Sequence, residues 1–299
     1  MKRYWIAALL VLTMIALLLT GCGGKKQKEA EDAPAQPQVQ EDPDTLVCNN
    51  GKTTLRFHKE DDKWCWVDDV DFPLDQSYVQ QLMDTLYSLR DLTALGKHDE
   101  MSAYGLEDAK AYIMLGDPSG EESYIYLGNA TDGGNYMYDG NEENGLYIAP
   151  ATLMEQISRS IYDMALLPTL PQLTMDNMTA FDLVTSKKEL HLTAKGGAWY
   201  SENTDVTRKM SAATDALTKL TLSACVDYRP ASGAAEICGL GKDAAVLTVS
   251  YGDSMTFTMK LGTKRDKSGY YVTVNDDTTI YLLSAELGDT LKTLATDGI

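Results

Sequence analysis

Apolar and polar residues alternate over several short segments of the chain, a pattern that predicts β-strands with one buried face. The clearest case is a hairpin around the Gly252-Asp253 turn, flanked by alternating apolar residues: Leu247, Val249, Tyr251, Met255, Phe257, Met259 and Leu261. The same reasoning predicts strands near 44–48, 53–58, 136–138, 146–148, 180–185, 189–194, 270–274 and 279–283, and short strands that carry Trp64 and Trp199.

Apolar residues spaced by three and four predict helices between these groups of strands. One helix has Asp75 and Ser77 as candidate N-caps, a second includes Ala213 and Leu217, and two more are predicted at 151–162 and 285–295. Hairpin-linked strands with segregated helices are typical of the α+β class with antiparallel sheets, because the chain lacks the regular crossovers that a parallel sheet requires.

Several landmarks recur along the chain at a nearly constant offset. Four of them return 134 positions later: Gly105 as Gly239, Gly128 as Gly262, Tyr136 as Tyr270 and Tyr147 as Tyr281. This periodicity predicts two homologous units at 45–165 and 177–299, each an antiparallel sheet packed with helices. The proline-containing segment 166–176 is predicted to connect them, since its prolines cannot continue a helix.

The N-terminal region has the features of a lipoprotein signal. A basic start precedes an apolar run from Trp5 to Leu19, which has the length of a signal-peptide core rather than of a membrane span. The sequence Leu19-Thr20-Gly21-Cys22 resembles the lipobox of bacterial lipoproteins, which implies that residues 1–21 are removed and that Cys22 is lipidated. An ordinary secretory signal and an uncleaved membrane helix are the alternatives.

Residues 22–44 are predicted to form a disordered tether between the lipidated cysteine and the first unit. After Cys22, the segment contains three prolines, no aromatic residue and one valine, Val39. So little apolar surface cannot offset the entropy lost on ordering.

The charge of the chain excludes one class of partner. Lys and Arg number 26 against 44 Asp and Glu, a formal net charge of −18, and removing residues 1–21 would bring it to −20. Such a chain is repelled by nucleic acid, so no nucleic-acid partner is expected. The charge also favours solubility close to a membrane.

A family resemblance comes from landmarks spread over residues 45–299. These are the tryptophan strand, the Asp75-led helix, Tyr104-Gly105-Leu106, Leu127-Gly128, Tyr136-x-Tyr138 and Leu146-Tyr147-Ile148. In this order they resemble bacterial lipoproteins and membrane-linked proteins built on domain of unknown function 4340. Cys238 departs from the pattern, since it replaces the tyrosine before Gly239. The resemblance implies a secreted, anchored, repeat-built protein and brings no catalytic residue.

No sequence motif predicts a catalytic site or a cofactor. His58, His98 and His191 do not have the spacing of metal ligands or of a nucleophile and its base. Asp68, Asp69 and Asp71 lie near Trp64 and Trp66, which raises the hypothesis of a calcium or sugar site. The second unit keeps Trp199 without the acidic residues, and this favours a structural tryptophan.

The turns and cysteines carry weaker signals. Residues 139–145 resemble a calcium loop but lack its glycine and final glutamate, so we interpret them, like 275–277, as a turn. Outside the cytoplasm the remaining cysteines can form disulfides in three connectivities, or stay reduced: Cys48, Cys65, Cys225 and Cys238. A Cys225–Cys238 bond is the favoured pairing because the two residues flank one loop.

Tyrosine is enriched, with 17 tyrosines against 4 phenylalanines. Alternation places Tyr124 with Tyr126, and Tyr136 with Tyr138, on one sheet face. Together with Trp64 and Trp66 they are candidates for a surface that binds a peptide or a glycan, and cross-strand packing is the alternative.

The sequence therefore predicts a lipid-anchored module on the extracytoplasmic face of the cell membrane. It would bind or scaffold a protein or glycan of the cell envelope, for example as an accessory to a transporter, without catalysis. One alternative is an envelope hydrolase or metal-assisted enzyme that uses the acidic loops of the first unit. The other is a solute-binding lipoprotein.

Overall fold

The first sheet contains seven antiparallel strands in the order β3-β2-β1-β4-β5-β6-β7. The computed structural model describes residues 36–95, 100–140 and 145–299. The strand bounds are Thr45–Asn50 (β1), Thr54–Glu60 (β2), Lys63–Trp66 (β3), Ala111–Gly116 (β4), Glu122–Thr131 (β5), Gly134–Asp139 (β6) and Leu146–Pro150 (β7). Helices α1 (Gln76–Ser88) and α2 (Ala151–Ile157) pack against one face of this sheet.

The second sheet contains nine antiparallel strands in the order β11-β10-β9-β8-β13-β14-β15-β16-β12. The strand bounds are Met178–Val184 (β8), Glu189–Lys195 (β9), Ala198–Ser201 (β10), Thr204–Asp205 (β11), Leu222–Asp227 (β12), Ala245–Tyr251 (β13), Met255–Arg265 (β14), Gly269–Val274 (β15) and Ile280–Leu283 (β16). The helices are α3 (Thr207–Thr218), α4 (Ala234–Ile237) and α5 (Ala285–Asp297). The predicted α+β class with antiparallel sheets is therefore confirmed.

Local sequence signals explain where the helices begin and which face they bury. Asp75 caps α1, since its side chain accepts a hydrogen bond of 2.9 Å from the backbone of Ser77. The predicted apolar stripe of α1 is buried against the sheet. Trp64 and Trp199 are tied to the helix that follows each of them, because Gln76 and Thr207 accept a hydrogen bond from the tryptophan backbone.

One predicted helix is shorter than expected. The helix predicted over 151–162 ends at Ile157, and Ser160 starts a separate 3-10 turn over Ile161–Met164. The side chains of Ser160 and Asp163 form a capping box, which begins this turn. The turn brings Met164 beside α1, where its carbonyl accepts a hydrogen bond from the Asp75 backbone.

Each sheet has its own hydrophobic core, and a few residues between the sheets pack against both cores: Tyr162, Ala165 and Tyr228.

The same backbone contact occurs in both sheets, where a carbonyl oxygen lies so close to a strand glycine that a Cβ on the glycine would overlap it. These pairs are Tyr104 with Gly128 and Cys238 with Gly262. The residue after each carbonyl is a left-handed glycine, with φ of +70° at Gly105 and +72° at Gly239.

Residues 36–44 correct the predicted extent of the disordered tether, because they pack against the first sheet. Val39 is buried in the first core, and Arg90 donates a hydrogen bond of 2.6 Å to its carbonyl oxygen. The backbone of Gln38 donates a hydrogen bond of 2.6 Å to Asp139 at the end of β6. The rest of the predicted tether, the signal 1–21 and Cys22 lie outside the described residues. In the part of the chain that the structure does describe, no helix is both long and apolar enough to cross a membrane.

Candidate functional site

Four tyrosines lie together on the face of the first sheet that is opposite the helices. Strand alternation places Ile113, Ile125 and Met137 in the core, and turns the tyrosines between them outward. We call this set the tyrosine platform; its members, all half-buried, are Tyr112, Tyr124, Tyr126 and Tyr138. The strand register places Tyr112 opposite Tyr126, and Tyr126 opposite Tyr138.

The rings of the tyrosine platform contact one another in a continuous array. Tyr124 and Tyr126 are nearly parallel, with centroids 6.0 Å apart, and Tyr126 and Tyr138 are stacked at 6.1 Å. Tyr112 is tilted against Tyr124 at 6.1 Å and against Tyr126 at 6.3 Å. The array spans three adjacent strands, so its half-exposed rings form one aromatic surface.

Glu122 accepts a hydrogen bond from one hydroxyl of the tyrosine platform. The Tyr124 hydroxyl donates a hydrogen bond of 2.7 Å to the carboxylate of Glu122. This hydrogen bond is the main cause that raises the pKa of Tyr124 to about 12. The hydrogen bond therefore orients the Tyr124 hydroxyl toward Glu122 and ties that carboxylate to the platform.

The structure places the other predicted surface residues elsewhere. Tyr136 contacts Tyr104 at 4.8 Å instead of joining the tyrosine platform. Trp64 is buried in the first core with Lys59 over its ring, and Trp66 packs edge-on against Phe72 at 5.5 Å. Trp64 is therefore a structural residue, as the comparison with Trp199 indicated. Tyr112 belongs to the surface, although sequence analysis missed it.

The corresponding face of the second sheet has no such array. The register there places Val246 opposite Lys260, and Lys260 opposite Thr273, in the arrangement of Tyr112, Tyr126 and Tyr138. Thr258 takes the position of Tyr124, two residues before Lys260. The same sheet geometry thus forms without tyrosine at these positions.

The acidic residues near Trp66 connect the two sheets. Arg229, just after β12, approaches Asp69 at 3.1 Å and Asp71 at 2.9 Å. The Tyr228 hydroxyl donates a hydrogen bond to the Asp71 carbonyl oxygen, and the Tyr228 ring packs edge-on against Phe72. Across residues 36–95, 100–140 and 145–299, no group of three or more His, Cys, Asp or Glu side chains could hold a metal ion. Asp69 and Asp71 therefore act in this junction.

We expect replacement of Arg229 by alanine to loosen the junction between the sheets. The ion pairs are exposed, so the free energy of unfolding should fall by less than about 1 kcal/mol. Chymotrypsin should nevertheless cleave within the 166–176 connector faster than in the unmodified protein. The control is Arg208→Ala, which removes an exposed arginine that makes no ion pair within the part of the chain that the structure describes. Equal cleavage of both variants would contradict this role.

The structure contains no disulfide among the cysteines that it describes. All four cysteines in the described chain are free thiols, so the Cys225–Cys238 disulfide favoured by sequence is not formed in the structure. The carbonyl oxygen of Cys238 accepts a hydrogen bond from the backbone of Thr263 in β14. Cys225 lies on β12, and strands β15 and β16 separate β12 from β14, so the two cysteines are held apart.

One of the two predicted turns lies in the described chain. Asn275 has φ of +53° in a turn, as predicted, whereas residues 141–144 of the other loop lie outside the described part.

Two histidines have carboxylate neighbours, and His98 lies outside the described residues. His58 lies 3.3 Å from Glu60 on the same strand. His191 is exposed on the second sheet, with Nδ1 2.6 Å from Asp182 and Nε2 3.3 Å from Glu189. The hydrogen bond to Asp182, followed by that to Glu189, raises the pKa of His191 above its ordinary value of 6.5.

We expect Asp182→Asn to lower the pKa of His191, because it removes the larger of the two causes. The two carboxylates favour the protonated imidazole in the folded state and so stabilise the fold. This contribution to the free energy of unfolding is fully present below the unfolded-state pKa of His191 and is lost as pH rises through its folded-state pKa. An NMR titration of the imidazole signals measures the shift. Asp215→Asn, on the exposed side of α3, should leave it unchanged.

A cavity of about 370 Å³ lies between the 3-10 turn and β12. Its lining includes Arg159, Asp163, Ser223 and Cys225. Asp163 is engaged in the capping box, and burial raises the pKa of the Cys225 thiol to about 11. The thiol is therefore protonated and unreactive at neutral pH.

The family described as Domain of unknown function (DUF4340) matches residues 64–243, well over half of the chain. The chain belongs to this family. The matched region begins at the Trp64 strand and crosses the connector into the second sheet. No curated protein and no solved structure matches the chain.

Proposed function

We propose that this protein is a lipid-anchored binding or scaffold module on the extracytoplasmic face of the cell membrane, without catalysis of its own. The tyrosine platform is its recognition surface. Its role would be to hold a protein or glycan partner in the cell envelope, and an accessory role to a transporter is one form of this function. The observation that carries the proposal is the continuous array of four half-exposed phenol rings on one sheet face.

The second sheet supports a functional reading of this array. If cross-strand packing were the reason for the tyrosines, the second sheet should also have aromatic residues at these positions. The corresponding positions there hold other residues, namely Val246, Thr258, Lys260 and Thr273. Exposed aromatic surface costs solubility and is a common feature of recognition sites, where tyrosine contributes both an apolar ring and a polar tip.

Two homologous units, at 45–165 and 177–299 with a connector at 166–176, form part of the proposal. Seven strands follow the same spatial order in each sheet, and β11 and β12 are additions at the edges of the second. The matching contacts of Gly128 and Gly262 add support, because each occurs between corresponding segments. The units would then have diverged on their outer faces.

The acidic loop near Trp66 offers limited support for the enzymatic alternative. Asp69 and Asp71 are engaged by Arg229, and Asp68 remains exposed in the same loop without a partner among the described residues. An active site needs several positioned groups with tuned pKa values. These observations favour the binding module over the hydrolase.

Site-specific photo-cross-linking in intact cells tests the recognition surface. A photoreactive amino acid at position 126 is expected to give a discrete cross-linked product. The matched control carries it at position 258, on the corresponding face of the second sheet. Equal products from both positions, or none from position 126, would refute the proposed surface.

The lipid anchor has its own test. We expect Cys22→Ser to prevent lipidation, so that the protein is released from the membrane or accumulates with its signal attached. Membrane fractionation and the intact mass of the protein measure this outcome. The control is Cys65→Ser, which alters a cysteine of β3 and should leave anchoring unchanged. Normal retention and a normal mature mass in Cys22→Ser would disprove the anchor.

A further inference from the structure

We infer that the tyrosine platform binds a cationic polypeptide segment, rich in arginine or lysine, of a partner protein. This inference rests on the proposed function and names the class of partner for the same surface. It follows from the carboxylates near the rings, from the cations that lie over other tyrosines of this protein, and from the width of the surface.

Carboxylates line one end of the tyrosine platform. Thr45 lies opposite Gly116, and Gly116 opposite Glu122, so the start of β1, the end of β4 and the start of β5 share this end of the sheet. We call the carboxylates there the acidic rim: Asp44, Asp117, Glu121 and Glu122. No ion pair to a lysine or arginine occurs at any of them within the described chain. The rim therefore places negative charge without a cationic partner at this end of the sheet, and Glu122 brings it next to the Tyr124 ring.

Other tyrosines of the protein have a cation over the ring. Arg90 lies over Tyr87, Arg159 over Tyr78, Arg229 over Tyr228 and Lys264 over Tyr270, at 5.0 to 5.4 Å. Within the described residues, no lysine or arginine takes such a position over the tyrosine platform. Arg56 lies on the same face, with Val47 and Met114 between it and Tyr124 along the strand register. Lys110 lies two residues before Tyr112, at the end of β4 away from the acidic rim. The platform thus combines aromatic faces and carboxylates with no cation over its rings among the described residues, and both groups attract cations.

The shape of the surface favours a polypeptide segment over smaller or differently charged partners. The rings occupy a face three strands wide, roughly 10 Å across two strand spacings, which suits several side chains of one segment. A chain of net charge −18 is repelled by anionic lipid headgroups. A neutral glycan could donate hydroxyl hydrogen bonds to the acidic rim but carries no positive charge to pair with it.

Binding of a labelled nona-arginine peptide to the full chain in mild detergent tests the inference, with nona-glutamine as the neutral peptide. Fluorescence anisotropy should detect nona-arginine binding that weakens with salt, and no nona-glutamine binding. Replacing two rings by the residues of the second sheet, Tyr112→Val with Tyr124→Thr, should weaken binding about tenfold. Thr256→Ala with Thr258→Ala, on the second sheet, is the matched control and should bind normally.

A second variant guards against loss of folding. Glu121→Gln with Glu122→Gln changes exposed side chains only and should also weaken nona-arginine binding. Equal binding by all variants would overturn the inference, because it would show that the peptide responds only to the net charge of the chain. Absence of binding to the unmodified chain would overturn it as well. A cross-link from position 126 together with absent nona-arginine binding would leave the recognition surface standing and reject its cationic partner.

Discussion

Replacing Gly134 with alanine will disrupt the first sheet and lower the free energy of unfolding by about 4 kcal/mol or more. Gly134 begins β6 with φ of +149°, a conformation that residues with a Cβ rarely adopt. A Cβ there would also overlap the carbonyl oxygen of Ala149 in β7. Because that oxygen belongs to a paired strand, the overlap can be relieved only by separating β6 from β7. Urea unfolding followed by circular dichroism measures the loss.

The neighbouring residue provides the control. Gly133 lies directly before Gly134, and a Cβ there would meet only a side-chain carbon of Ile148 at 3.6 Å. Gly133→Ala should therefore change stability by less than about 1 kcal/mol. Gly269 has φ of +144° in β15, and a Cβ there would overlap the Leu283 carbonyl, so Gly269→Ala should be as severe as Gly134→Ala. Similar results for Gly133→Ala and Gly134→Ala would contradict this account.

Replacing Trp199 with alanine will destabilise the second sheet by about 4 kcal/mol, the usual cost of removing a large aromatic side chain from a core. Trp199 is fully buried and packs edge-on against Phe181. Its indole nitrogen donates a hydrogen bond of 2.9 Å to the hydroxyl of Thr214 in α3. The substitution therefore leaves a cavity and an unpaired hydroxyl. Urea unfolding monitored by circular dichroism measures the change.

Two threonines of α3 separate these contributions. Thr214→Val keeps the volume of the side chain but leaves the indole N–H without its acceptor, which should cost about 1–3 kcal/mol. Thr218→Val alters an exposed threonine near the end of the same helix and should cost less than about 1 kcal/mol. If Trp199→Ala lowered the free energy of unfolding no more than Thr218→Val, the expected contribution of this indole to the second core would be disproved.

Residue periodicity predicted the strands whose side chains alternate regularly. The β13–β14 hairpin keeps an unbroken register from Ala245 to Tyr251, so its alternation in sequence matches its burial. Strand β12 was missed for the opposite reason. Its pairing with β16 shifts register twice within Leu222–Asp227, and these shifts break the period of two.

Contacts between distant residues could not be predicted from periodicity. Arg229 lies 160 positions from Asp69, and nothing local to either residue indicates the pair. Val39 is a single valine in a polar, proline-containing segment, so its burial depends on a surface formed by the first sheet and its helices.

The tyrosine platform was predicted in part. Alternation correctly grouped Tyr124 with Tyr126, and Tyr138 joins them through the strand register. Tyr136 is held instead by Tyr104 from a 3-10 turn far away in sequence. Tyr112 could have been found, because it alternates with the buried Ala111 and Ile113.

The attachment of Gln38 to Asp139 bears on how tightly a partner must bind. Asp139 is buried opposite Ile125, which lies between Tyr124 and Tyr126, so the N-terminal segment joins the core side of the sheet behind the tyrosine platform. With a lipid at Cys22, the fourteen residues up to Gln36 span at most about 50 Å. A partner in the same membrane then meets the platform at a high effective concentration, on the order of millimolar for short linkers. Weak intrinsic affinity would suffice for stable pairing, and release could be correspondingly fast.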